Sequence, residues 1–200
     1  MLKRAGLTLA ILAAGGVPAF AHLDPAEHGS FAAGFSHPLF GADHILAMVA
    51  VGLWAAVLAG GSDRRAPWLA PAAFVATMLA GFVAAMAGVP LPFVEPAILA
   101  SVVVIGMLAA VALNASAGAA MAFVGFFAVF HGHAHGGEIG DAGTFAYAAG
   151  FALATALLHA AGIALRLLLG RALGGTAGRY LTRAAGAVTA LGGLWLAFAG

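Results

Sequence analysis

Apolar residues dominate six long stretches of this chain, roughly 31–60, 67–88, 95–114, 117–135, 143–169 and 180–199. Each is predicted as a helix, because lipid admits only helices or closed barrels as spanning structures. The polar and glycine-rich positions between them carry turn and cap chemistry. They are Gly60 to Arg65, Gly88 to Pro92, Asn114 to Gly118, Gly136 to Gly143 and Gly170 to Gly178. A shorter apolar stretch, Ala5 to Val17, follows Lys3 and Arg4 and is broken by Pro18. With Ala19-Phe20-Ala21 at its end, it has the charged, apolar and small-residue order of a cleavable secretory signal. The stretch is short for a span, which needs about 20 residues. The expected organisation is a signal peptide over 1–21 and, from His22 onward, a compact bundle of six transmembrane helices over 22–200. The fold class is thus an all-α integral membrane protein.

Composition removes most other classes. The 200 residues are 64% hydrophobic and only 8% charged. A soluble domain carries about 25% charged residues, so there is too little polar surface here to coat a globule in water. Net charge is +1, and the eight Lys and Arg form no basic stripe, so nucleic acid is excluded as a partner. Cysteine is absent, which removes disulfides, thiolate metal sites and a thiol nucleophile. No nucleotide-binding Gly-Lys motif is present, so ATP is not expected as a partner either. The abundant glycine and alanine allow close helix approach, which suits a tight bundle better than a wide aqueous pore.

Charge then orients the spans. If the signal carries the N-terminus outward, the first span runs inward. Arg64, Arg65, Arg166, Arg171, Arg179 and Arg183 then all fall on the cytoplasmic side, as the positive-inside bias requires. Asp24, Glu27, Asp43, Glu95, Glu138 and Asp141 fall outside or in the outer half, and only Asp63 falls inside. The eight histidines also sort to the outer side or the midplane: His22 and His28 in the tail, His37 and His44 in span one, His131, His133 and His135 at the end of span four, and His159 in span five.

Two constellations carry chemistry. In His37-Pro38-Leu39-Phe40-Gly41-Ala42-Asp43-His44 a continuous helix places His37 and His44 on one face, two turns apart, with Asp43 about 100° round the wheel. An intramembrane carboxylate costs about 2.5–3.5 kcal/mol on insertion scales, so Asp43 marks a site by default. Pro38 removes a backbone donor and kinks the helix or marks its start. The plainer reading is that Asp43 and His44 glue helices together by hydrogen bonds, but three ligand-type residues in eight positions favour a site. In Phe130-His131-Gly132-His133-Ala134-His135-Gly136-Gly137-Glu138, a continued helix aligns His131, His135 and Glu138. An unwound one brings in His133 instead. Either way imidazole nitrogen and carboxylate oxygen converge, a donor set that suits divalent nickel, cobalt, zinc or copper. The plainer reading is a histidine patch that binds metal opportunistically.

Other candidates are weaker. His159 stands alone on an apolar helix, as a core residue or as part of a metal pathway. Glu95, between Pro92 and Pro96, is an entrance carboxylate or an interfacial cap. His22 would chelate through its free α-amino group and imidazole after cleavage, with Asp24, Glu27 and His28 close behind. His22, His28, Glu95 and His159 are therefore candidates for the route by which metal enters. Met48, one turn past His44, is read as core.

The run GFSHPLFGADHILAMVAVGLWA over 34–55, with its H-x5-D-H pattern, and FHGHAHGGE over 130–138 resemble the HupE/UreJ family of nickel and cobalt permeases. A signal peptide followed by six helices agrees, so the resemblance spans essentially the whole chain. It implies uptake of Ni2+ or Co2+ across the bacterial inner membrane, with no prosthetic group and no enzymatic activity. Metal would be contacted by His37, Asp43, His44, His131, His133, His135 and Glu138. Two rivals come from other classes. A zinc-dependent intramembrane hydrolase would use the same His/Asp cluster to activate water, with Ser36 or Glu138 assisting. A bis-histidine haem protein would pair residues such as His44 and His159, against which the neighbouring Asp43 argues.

Overall fold

The computed structural model describes residues 30–136 and 143–199. The expected signal segment, His22, His28, Glu138 and Asp141 lie outside the described residues. Six helical elements follow one another: α1 (Phe31–Phe40), α2 (Ala42–Leu58), α3 (Ala66–Met86), α4 (Val94–Val111), α5 (Ala117–Gly136) and α6 (Thr144–Ala199). α3, α4, α5 and α6 are each long and apolar enough to cross a membrane, and the bent pair α1–α2 makes up to a fifth such unit.

Two expectations change in the structure. The first predicted span, 31–60, is not one helix. It breaks at Gly41, whose backbone is extended (φ −82, ψ 117), and α1 and α2 meet at 83°. Pro38 sits inside α1 without ending it, so the break falls three residues later than the proline, at the glycine. His37 and His44 therefore do not share a helical face; they stand on two helices that converge. The last two predicted spans are joined differently as well. Helix continues through 170–178 except at Gly174, whose φ of 79 is cheap only for glycine. Gly178 packs against Gly170, so the chain reverses there. A straight 56-residue helix would run about 84 Å, nearly three times the hydrocarbon core of a bilayer; the reversal gives two limbs, 144–173 and 175–199.

Small residues set the packing. α3 lies along α5, where a Cβ on Gly81, Gly132 or Gly136 would collide with the carbonyls of Val129, Met78 and Phe82. α1 and α2 lie on the first limb of α6, and α4 on the second. Such close approach is how helices associate in lipid, where apolar burial between helices supplies no driving force. The outside is correspondingly apolar: Phe40, Trp68, Phe145 and Phe198 are each at least 71% exposed. Surface of that kind suits lipid rather than water, and the chain is a multi-pass membrane protein.

The two ends of the bundle differ in chemistry. One end is tied by ordinary polar contacts. Trp54 donates its indole N–H to the Leu113 carbonyl at 2.8 Å, Arg183 donates to the Ala110 carbonyl at 2.8 Å, and Asp63 accepts from the Ala117 amide at 3.2 Å. Arg64, Arg65, Arg166 and Arg179 cluster at this end. Arg166, Arg179 and Arg183 line a cleft of about 330 Å³ together with Asn114 and Tyr180. The other end holds His37, His44, His131, His133 and His135.

Candidate metal centre

The bend at Gly41 builds the centre. By halting α1 and restarting the chain as α2, it places His37 at the end of one helix and Asp43 and His44 in the first turn of the next. Asp43 there also faces the positive end of the α2 dipole, which favours its charge. α5 supplies His131 and His135, four residues apart and so on one face.

Among the described residues, His37, His44 and His135 form a group in which one ring nitrogen from each lies within 4.8 Å of the others. The Nε2 atoms of His44 and His135 are 3.0 Å apart. Two nitrogens bound to one divalent ion at about 2.1 Å and roughly 90° stand about 3.0 Å apart, so this pair is already at chelating separation. The His37 ring is 4.1 Å from that of His135 and 5.2 Å from that of His44, centroid to centroid. It stands on the third side of the group. Phe151, from the first limb of α6, touches all three rings and forms an apolar wall. His44 and His135 are buried, whereas His37 is only partly so. The centre thus communicates with the surface on the His37 side.

Two groups prepare the nitrogens. Asp43 Oδ2 lies 3.0 Å from His44 Nδ1, at ion-pair distance though out of line for a hydrogen bond. Its negative charge on the far side of the ring favours a cation at Nε2, as the carboxylate behind a ligating imidazole does, though without the aligned N–H donation. Ser101 prepares the second ring. Its hydroxyl donates to the Ile98 carbonyl at 2.6 Å and so can only accept from His131 Nε2–H, 2.9 Å away. That proton assignment leaves His131 Nδ1 as a bare lone pair, buried and without a partner. The His131 ring stands 5.2 Å from that of His44, one helical turn before His135 on α5. Soft-to-borderline nitrogen donors with one carboxylate suit late first-row divalent ions and disfavour Mg2+ and Ca2+, which prefer oxygen.

A match to the HupE / UreJ protein family model covers residues 9–196. The chain belongs to the HupE/UreJ family. It is 42% identical, over 192 residues and 93% of each chain, to Protein HupE of Rhizobium leguminosarum bv. viciae. No solved structure matches it. Both motifs singled out in the sequence lie inside the span that matches the HupE/UreJ model.

The structure brings together His37, Asp43, His44, His131 and His135 and leaves other candidates apart. His133 points away, its Nε2–H donating to the Val89 carbonyl at 2.8 Å. Glu95 is exposed in the first turn of α4, where its charge suits the helix dipole. His159 is buried deeper in the bundle, against Phe74. Met48 is fully buried core, as expected. Sequence reasoning missed Ser101, Phe74 and Phe151. A serine inside an apolar span was a usable signal for the first, because such a hydroxyl needs a partner. The two phenylalanines carried none.

Proposed function

We propose that this HupE/UreJ protein is a secondary permease of the bacterial inner membrane that carries Ni2+ or Co2+ from the periplasm to the cytoplasm. The ion is cargo, and it would serve hydrogenase, urease or cobalamin synthesis. The observation that carries the reading is the buried His37–His44–His135 group with Asp43 behind it, inside a multi-pass member of this family. In this reading the N-terminus is periplasmic after cleavage at 21, six helices cross the membrane, and the arginine-rich end faces the cytoplasm.

The chemistry runs in order along the proposed path. His22, His28, His133, Glu95 and Glu138 gather the hydrated ion at the outer rim. His37, the partly exposed member of the group, receives it and exchanges water for imidazole. His44 and His135 complete the nitrogen set, Asp43 offsets the ion's charge, and His131 offers its free Nδ1 below. The ligand number stays small, because a site that binds too tightly cannot release its ion. A potential of 100 mV contributes about 2.3 kcal/mol per charge, so about 4.6 kcal/mol for a divalent ion, which suffices to drive inward movement without ATP. Family membership favours this reading over the zinc hydrolase, for which a site in the membrane must hold its metal rather than pass it on.

The test is uptake of radiolabelled nickel and cobalt by metal-starved bacterial cells expressing the chain, with His44→Ala matched for membrane expression. Uptake by the wild type that falls to background in the variant is the expected result, and mutual competition names the preferred ion. A well-inserted wild type that takes up neither ion would falsify the permease reading.

A further inference from the structure

Among the described residues, His159 is a buried histidine with orphaned nitrogens that the metal centre does not explain. It is 2% exposed, and neither ring nitrogen has a hydrogen-bond partner. Buried polar groups in native proteins are satisfied almost without exception, and each orphan requires a cause. Core filling is a poor one here, because leucine or phenylalanine would fill the space without leaving two polar atoms bare.

Its position supplies a better cause. His159 lies eight residues beyond Phe151, the wall of the metal centre, on the same limb of α6. That places it about 12 Å further along the helix axis. Between them, Thr155 turns its hydroxyl to the Met78 sulfur at 3.6 Å. The His159 ring packs edge-on against Phe74, with centroids 5.1 Å apart, and Phe74 also packs against His131 at 5.6 Å. One apolar ring is therefore shared by the innermost histidine of the metal centre and the orphan histidine. Just at the level of His159, α2 closes on α6. A Cβ on Gly52 would collide with the His159 carbonyl, and Gly162 meets the backbone of Val49 and Gly52. The two helices are in backbone contact at that level, and the His159 ring packs on Phe74.

We propose that His159 is an inner relay ligand for the divalent ion, reached from His131 past the Phe74 ring that both histidines share, at the level where α2 closes on α6. This rests on the permease reading and adds a second metal station to it. The first station captures and dehydrates the ion. The second takes it from His131 deeper into the bundle, past the Phe74 ring.

The experiment compares His159→Gln and His159→Phe with the wild type in two assays. The first is radiolabelled nickel uptake in metal-starved cells; the second is Co2+ absorption spectroscopy of the purified full chain. The expected result is a fall in uptake of at least tenfold in both variants. The Co2+ spectrum of the three-histidine group should stay, with affinity within about twofold. The phenylalanine variant guards against a packing defect, since it fills the site, and the glutamine variant keeps polarity without an imidazole. In the wild type, 15N spectra of the histidine rings on Cd2+ loading should show a ligation shift at a His159 nitrogen, whether or not either variant inserts. Wild-type uptake in an inserted variant, or a His159 signal that Cd2+ leaves unmoved, overturns the relay. Absent uptake in the wild type itself overturns the permease reading instead.

Discussion

Two carboxylates flank the body of helix α2, one in its first turn and one in the loop that follows it, and they are used differently. Asp63, just past the helix's C-terminal end, has its oxygens taken up by donors of the backbone and one guanidinium. Oδ1 accepts from the Arg65 amide at 3.1 Å and from Arg65 Nε at 3.4 Å, and Oδ2 accepts from the Ala117 amide at 3.2 Å. It thereby caps the start of α5 and ties two loops together. Asp43, in the first turn, sits beside an imidazole nitrogen in a site made of other imidazoles. Its charge is directed at a ring whose far nitrogen is shared with nothing but another ring nitrogen. One carboxylate closes a hydrogen-bonding account within the fold. The other leaves a net demand for a cation, which separates a structural polar residue from a site residue in a membrane protein.

Substitutions at the two ends should separate accordingly. The largest effect is expected at His135→Ala, which removes one of the two nitrogens already at chelating separation. Nickel uptake should fall at least 100-fold while membrane levels of the protein hold. Asp43→Asn comes next. Replacing a charged partner of a ligating imidazole typically costs 10–100-fold in metal affinity, and Co2+ titration of the purified chain should show a loss in that range. Retained affinity in Asp43→Asn would place Asp43 in the same structural class as Asp63. Ser101→Ala should cost only severalfold in Co2+ affinity, because it frees the His131 tautomer without removing a ligand.

The smallest effect belongs to Asp63→Ala, which should leave uptake unchanged and lower the melting temperature slightly. Backbone amides of Arg65 and Ala117 hold the Asp63 carboxyl below its ordinary value. A carboxylate depressed in the fold contributes stability that is present above its unfolded value of about 3.9 and lost as pH falls through the folded one. The gap in melting temperature between wild type and Asp63→Ala should therefore be constant near neutrality and close below about pH 4. A gap that widens on acidification would contradict the capping role.

The contrast also shows how far the sequence could be read. The apolar segments, the charge asymmetry and the motif around His37, Asp43 and His44 were legible, because lipid imposes length and polarity on a span more strictly than water does on a soluble helix. The bend was only half legible. Pro38 announced a disturbance, but its place at Gly41 depends on α1 lying flat against α6, where a Cβ on Gly34 would collide with the Tyr147 carbonyl and one on Gly150 with that of Phe31. Those contacts join residues more than a hundred positions apart. The choice among His131, His133 and His135 turned on whether α5 stays helical through Gly132. It does, so the i, i+4 pair faces the centre and His133 turns to Val89. Ser101 could not be assigned to His131 without the α4–α5 packing. The isolation of His159 was plain from its apolar flanks, but its two bare nitrogens belong to the fold alone.

The central claim is that a divalent ion is held by imidazole nitrogens from both sides of the Gly41 bend and from α5. Nickel K-edge X-ray absorption on the purified, Ni2+-loaded chain tests it most directly, with His37→Ala and His135→Ala measured alongside. The account predicts two to three imidazole nitrogens at about 2.1 Å, with one imidazole lost in each variant. A first shell made of oxygen alone, or an imidazole count unchanged by both substitutions, would contradict it.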